Sequence, residues 1–362
     1  MNKILLFSFL LLPVLLFSQP HKIERDTTHA YKTEFYVYPF AFYTPEKKLA
    51  FGGGGVYSFR NLKWHFLRPS KIIFSTYYTT AKQYLIYSNA EIYLFRGKIL
   101  FSGILWFEKL IEKFYGFGSE TKEITNPNYK LNDLYLEAKF YYSFTESLLA
   151  GVSFNYKNIL NFDPLENPYL KQDDILGNKD GLNTGFGILL RYDTRNNVFY
   201  PSEGNFIELS SIFYDKLLGG DYRYRDFIFD VRKYLTLSKS KIFAFEAYYD
   251  AVNGSPPFYN YPRLGGSYRM RGYYEGRFRD KEFFTVQTEL RLHIYKRFFG
   301  VLFLGVGDVF NKPSYLRFRN LKVSYGLGLR YRLSEYEKMN IRLDVGFGRG
   351  TYGIYFQAEE AF

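Results

Sequence analysis

The sequence predicts an all-β fold, a 16-stranded antiparallel transmembrane β-barrel in an exported protein, and three observations carry that expectation. From residue 34 onward the dominant hydrophobic period is two, the spacing of a strand with one buried and one exposed face. Aromatic residues make up 22% of the chain beside 23% charged residues, with a mean hydropathy of −0.26. An apolar leader stands in front of the first strand. Together these fit a barrel in lipid, with an apolar outer face, a polar lumen and rings at both interfaces. The formal charge of +12 suits nucleic acid, anionic lipid or a basic lumen equally well. The absence of cysteine excludes a disulfide scaffold and thiolate chemistry.

The leader comes first. Lys3 supplies a positive charge, and Ile4 to Phe17 is an apolar run broken only by Ser8 and Pro13, with Ser18 before Gln19 as the cleavage point. Such a run is short of a membrane-spanning helix, so residues 1–18 read as a secretory signal peptide. Residues 19–33 read as a short periplasmic segment and residues 34–362 as the barrel.

Strands are expected near 34–43, 49–60, 70–80, 83–95, 97–108, 131–144, 147–159, 182–193, 204–215, 221–235, 240–251, 281–295, 299–310, 320–333, 338–348 and 352–362. In the segment 320–333, Leu321, Val323, Tyr325, Leu327, Leu329 and Tyr331 alternate with Lys322, Ser324, Gly326, Gly328, Arg330 and Arg332. Segments of about ten or more residues suit a tilted membrane strand, with the greasy face toward lipid. The long connections, 109–130, 160–181 and 252–280, all follow odd-numbered strands and so share the extracellular side. Lumen positions include Lys139, Arg232, Lys322, Arg330, Arg332 and Arg342, a set that would favour anions in an open pore. The last segment places Tyr352, Ile354 and Phe356 on one face and closes on Phe362; an aromatic strand of this kind resembles the targeting signal of outer-membrane barrels.

Residues 268–280, Tyr-Arg-Met-Arg-Gly-Tyr-Tyr-Glu-Gly-Arg-Phe-Arg-Asp, lie in the sixth long-side loop. Leu264-Gly265-Gly266 followed by Arg271-Gly272-Tyr273 resembles the sixth-loop motif of the BamA/TamA superfamily of outer-membrane assembly and translocation barrels. Phe114 to Gly118, Arg191 to Arg195 with Tyr200 to Gly204, and Glu289-Leu290-Arg291 resemble other stretches of that family, in the same order along the chain. The resemblance implies a reentrant sixth loop docked through Arg271, Gly272 and Tyr273, with Glu289 as the acid. The following strand usually supplies a second acid; here Gly305 stands at that position, and Asp308 is out of phase with it. The docking network then rests on Glu289 alone or borrows Asp344, Asp230 or Glu246 from other lumen-facing positions. Arg277 and Arg279 suit either lipopolysaccharide phosphates or loop carbonyls.

Assembly members of the family carry periplasmic POTRA repeats, whereas only about fifteen residues separate Ser18 from the first strand, so the chain resembles a barrel-only member. The function this implies is outer-membrane protein assembly, insertion or translocation as an accessory. Its partners would be membrane lipid, lipopolysaccharide, and a POTRA-bearing barrel, periplasmic chaperone or client protein. An anion-favouring pore and a structural subunit of a larger secretion complex are the alternatives. No metal, cofactor or enzymatic role is expected: His21, His29, His65 and His293 are not spaced as ligands, and no Gly-x-Ser-x-Gly occurs. The arginine loop belongs to an exported barrel, which argues against nucleic acid. Gly52 to Gly55 fit a bend, a close backbone approach, or a loosened seam beside the first strand.

Overall fold

The computed structural model describes residues 33–44, 47–59 and 68–362. The leader, nearly all of the segment 19–33, and His21, His29 and His65 lie outside the described residues. Alternation gives the strands β1 (Glu34–Thr44), β2 (Lys48–Phe59), β3 (Ser70–Thr79), β4 (Tyr84–Leu94), β5 (Ile99–Lys113) and β6 (Asn128–Ser143). They continue with β7 (Leu148–Asp163), β8 (Gly181–Asp193), β9 (Gly204–Tyr214), β10 (Arg223–Ser238) and β11 (Lys241–Ser255). Two short strands, β12 (Arg263–Leu264) and β13 (Phe278–Arg279), pair with each other inside the sixth loop. The chain ends with β14 (Glu282–Tyr295), β15 (Phe298–Phe310), β16 (Lys322–Arg332), β17 (Asn340–Gly348) and β18 (Thr351–Ala358).

All but β12 and β13 form one 16-stranded antiparallel sheet in sequence order, running from β1 to β18. The two faces differ as the period requires. On β15 and β16, Leu302 and Leu304 are each 52% exposed and Leu327 is 56% exposed, while Val301 and Arg330 are buried. This apolar outer band around a charged interior is the arrangement lipid imposes on a barrel.

Two boundaries differ from the periodicity. The ladder between β5 and β6 runs out to Lys113 and Asn128, and β7 reaches Asp163, so the long loops are shorter than the alternation suggests. Polar pairs extend the sheet past the apolar stripe; Lys130 donates to Asp163 at 2.9 Å. At the other end, β18 stops at Ala358. Glu359 takes φ +113°, and Glu360, Ala361 and Phe362 turn inward and are buried. Tyr352, Ile354 and Phe356 face outward as expected, but Phe362 leaves their stripe and packs on Tyr234, Ala244 and Ala361.

Among the described residues, the two edge strands, β1 and β18, carry no backbone ladder to each other. They approach through side chains, Tyr38 lying edge-on to Phe356 with ring centroids 6.5 Å apart. Behind β1, the glycines of β2 make room for rings. A Cβ on Gly54 would lie 2.9 Å from the Tyr38 hydroxyl, and one on Gly52 would lie 2.8 Å from the Phe40 ring.

The outward face makes a direct prediction. Leu327→Arg places a charge in the middle of the apolar band and should destabilise the assembled barrel by about 2–4 kcal/mol. Denaturant titration in lipid vesicles reads this, and a neutral outcome would mean that the face does not meet hydrocarbon.

Candidate functional site

The sixth loop leaves β11 and returns to β14. Its base is tied by the β12–β13 pair and by a bridge from Gly118 to Arg279, whose carbonyl accepts from the Gly118 amide at 2.9 Å. The tip needs left-handed backbone: Gly265, Gly266, Gly272 and Gly276 have φ between +78° and +108°, and Met270 has φ +55°. Glycine takes such values without a Cβ penalty. The Tyr273 amide donates to the Met270 carbonyl at 3.2 Å, which presents the Arg271 side chain away from the turn.

Arg271 is fully buried. Its Nη2 donates to Glu289 Oε1 of β14 and its Nη1 to Asp344 Oδ2 of β17, both at 2.7 Å. The guanidinium lies 3.7 Å from the centre of the Phe303 ring, a cation–π contact on its open face. Around it, Arg291 donates to Glu289 at 2.9 Å, Arg342 to Asp344 at 2.8 Å, and Arg330 to both Asp344 and Glu360, the latter at 2.8 Å. Arg291 also donates to the Phe362 carbonyl at 2.8 Å, which ties the inturned segment to the same network. The second acid is therefore Asp344, two strands beyond Gly305.

The backbone of the motif fits a slot that only glycine leaves open. A Cβ on Gly346 would lie 2.7 Å from the Arg271 carbonyl carbon, and one on Gly272 would lie 2.5 Å from that of Phe347. On Gly348 it would meet the Tyr273 ring at 2.6 Å. The Gly272 amide donates to the Tyr355 hydroxyl at 2.9 Å, Ser324 donates to the Arg271 carbonyl, and the Tyr273 hydroxyl donates to the Val323 carbonyl at 3.1 Å.

The other loop arginines are also engaged. Arg269 reaches Asp230 and Glu246, each at 3.2 Å, with the Tyr248 ring 3.5 Å from its guanidinium carbon. Arg277 donates to the Thr121 hydroxyl and carbonyl at 3.0 and 2.8 Å, and Arg279 to the Lys113 carbonyl at 3.2 Å. Arg277 thus meets loop oxygens and Arg279 a carbonyl at the end of β5, and Asp230 and Glu246 serve Arg269. Asp308 keeps the out-of-phase position but is buried, accepting from Lys322 at 2.6 Å and from Ser119 at 2.7 Å.

The basic lumen positions do not form a free cationic lining. Lys139 pairs with Glu137 at 3.1 Å, Arg232 with Asp230 at 2.6 Å, Lys322 with Asp308, Arg330 with both Asp344 and Glu360, and Arg342 with Asp344. Arg332 donates to Asn340 at 3.1 Å and lies 4.1 Å from the Phe299 ring centre. Sequence reasoning passed over Phe303, Ser324, Tyr355, Gly346, Gly348 and Glu360. Glycines two apart on one strand face, at 305/307, 326/328 and 346/348, were the available signal.

Two substitutions separate charge from shape. Glu289→Gln removes one ionic partner of a buried guanidinium and should cost about 3–5 kcal/mol. Unfolding in vesicles measures it, and a loss below about 1 kcal/mol would show that Glu289 does not hold Arg271. Gly346→Val leaves every charge in place but fills the slot, so trypsin should gain cleavage sites within 265–277. Gly53→Ala, whose Cβ would meet only the Tyr38 carbonyl at 3.7 Å, should leave the digest unchanged.

A sequence comparison with curated proteins finds no match. Among solved structures, BamA from Haemophilus ducreyi lacking POTRA domains 1–3 aligns with a TM-score of 0.56 at 13% identity, over 91% of this chain and 69% of that one. CdiB from Acinetobacter baumannii aligns with a TM-score of 0.55 at 12% identity, over 89% of this chain and 58% of its own. At such identities the likeness is one of fold. The Omp85 superfamily domain matches residues 62–362, and the chain belongs to that superfamily.

Proposed function

We propose that this protein assembles or translocates other outer-membrane proteins, with the seam between β1 and β18 as its working edge. Family membership supports the outer membrane as its location and a role of this class. The observation that carries the reading is the seam itself, two neighbouring edge strands with no hydrogen-bond ladder between them. Such edges present unpaired main-chain groups, and an extended client segment can add to them by β-augmentation. The docked sixth loop complements this, because it braces β14 to β17 and leaves compliance to the seam. The glycine-rich β2 offers β1 backbone pairing and ring contacts with little side-chain bulk, which favours a first strand that can part from its neighbours.

A chain without cysteine permits a clean test. Tyr38→Cys with Phe356→Cys places two thiols across the seam. Oxidation in a strain that depends on the protein should lower the amounts of several other outer-membrane proteins, and a reductant should restore them. Unchanged amounts together with a steady anion-selective current in planar bilayers would replace this account with a pore. Loss of one partner protein alone would replace it with a subunit role.

A further inference from the structure

On the long-loop side of the barrel, a cavity of about 890 Å³ lies between the sixth loop, the β5–β6 and β15–β16 connections and the turn from β17 to β18. Its lining carries the cations Lys113, Arg277, Arg319, Lys322 and Arg349 against two acids, Glu120 and Glu123. Lys322 is committed to Asp308 at 2.6 Å. A cleft lined mainly by one sign of charge concentrates the opposite ion.

The three arginines set this cavity apart. Inside the barrel, Arg191, Arg232, Arg269 and Arg271 each have a carboxylate within ion-pair distance. Among the described residues, Arg277, Arg319 and Arg349 have none. Arg277 gives its two terminal nitrogens to neutral oxygens of Thr121 and lies 4.4 Å from the Tyr115 ring centre. Arg319 and Arg349 are exposed, and so are Glu120 and Glu123, which form no ion pair with them. The three guanidiniums come from separate elements, the sixth loop, the β15–β16 connection and the β17–β18 turn, so the fold brings uncompensated charge together here.

We propose that this cavity binds a phosphomonoester, either free or on the headgroup of an outer-leaflet glycolipid. A guanidinium presents a planar fork of N–H donors that matches phosphate oxygens. A phosphomonoester carries nearly two negative charges at neutral pH and three acceptor oxygens, so it answers more than one fork. A single carboxylate has one charge and two oxygens and answers fewer. Tyr315 and Phe318, on the same connection as Arg319, are 61% and 88% exposed, and rings at a barrel rim suit a phosphate carried on lipid. This inference does not depend on the seam.

Calorimetric titration of the full-length protein in a phosphate-free non-ionic detergent tests it. The titrants are inorganic phosphate, a hexose phosphate, the same hexose without phosphate, malonate as a dicarboxylate of matched charge, and lipopolysaccharide before and after phosphatase treatment. The expected result is saturable binding of phosphorylated probes, weakened about tenfold or more in Arg319→Gln with Arg349→Gln. Lys171→Gln with Lys179→Gln, the same loss of exposed charge on the β7–β8 connection, should leave it unchanged. Binding of phosphate and hexose phosphate supports a free ligand. Binding of lipopolysaccharide alone, lost after phosphatase, supports a glycolipid. No saturable binding of any phosphorylated probe overturns the proposal. Malonate binding as tightly as phosphate overturns it too, as does an equal loss in the two double variants, since the surface would then read charge alone.

Discussion

Arg271 reaches β14 with one terminal nitrogen and β17 with the other, so a single side chain spans four strands of the sheet. The rest of the interior is arranged around that span. Removing a guanidinium and two carboxylates from water is expensive, and burial alone would not stabilise the protein. What the arrangement gives is position. A planar fork with fixed donor directions accepts two carboxylates at one separation only, which fixes where the sixth loop rests and how far β14 stands from β17. Arg291, Arg330 and Arg342 hold the two acids from behind, and Glu360 and the Phe362 carbonyl close the network at its far side.

A loop packed this tightly against a strand wall needs a wall without side chains. Inward glycines provide it on three consecutive strands. Gly346 and Gly348 receive the motif backbone and the Tyr273 ring, Gly326 leaves space for Phe303, and Gly328 leaves space for the Asp344 carboxylate. Gly305, where the family has an acid, sits 3.5 Å from Met270 Sδ measured from an ideal Cβ. With glycine at 305 on β15, the second carboxylate on Arg271 is that of Asp344 on β17.

The barrel was legible in the sequence because a strand with lipid on one side and a polar interior on the other must alternate. Segments such as 281–295 and 320–333 repeat that pattern over long runs. Arg271 and Glu289 were legible through the motif resemblance. The choice among Asp344, Asp230 and Glu246 was not, since all three face inward and only spatial reach assigns two of them to Arg269. Nor was the turn at Glu359 legible: an aromatic stripe running to Phe362 looks outward until one residue with positive φ reverses it. The paired state of the lumen cations was hidden for the same reason, because alternation gives a side chain's face but not its neighbour.

The proposed function makes the seam the part of the sheet that moves and the dock the part held still. The measurement that tests this most directly is hydrogen exchange across the membrane-embedded protein. The account predicts that the Gly272 amide, which donates to Tyr355, exchanges as slowly as the ladder amides of β14 to β17. It also predicts that β1 exchanges faster than those strands. Rapid exchange at Gly272, matching the connection 311–321, would contradict a loop fixed by Arg271.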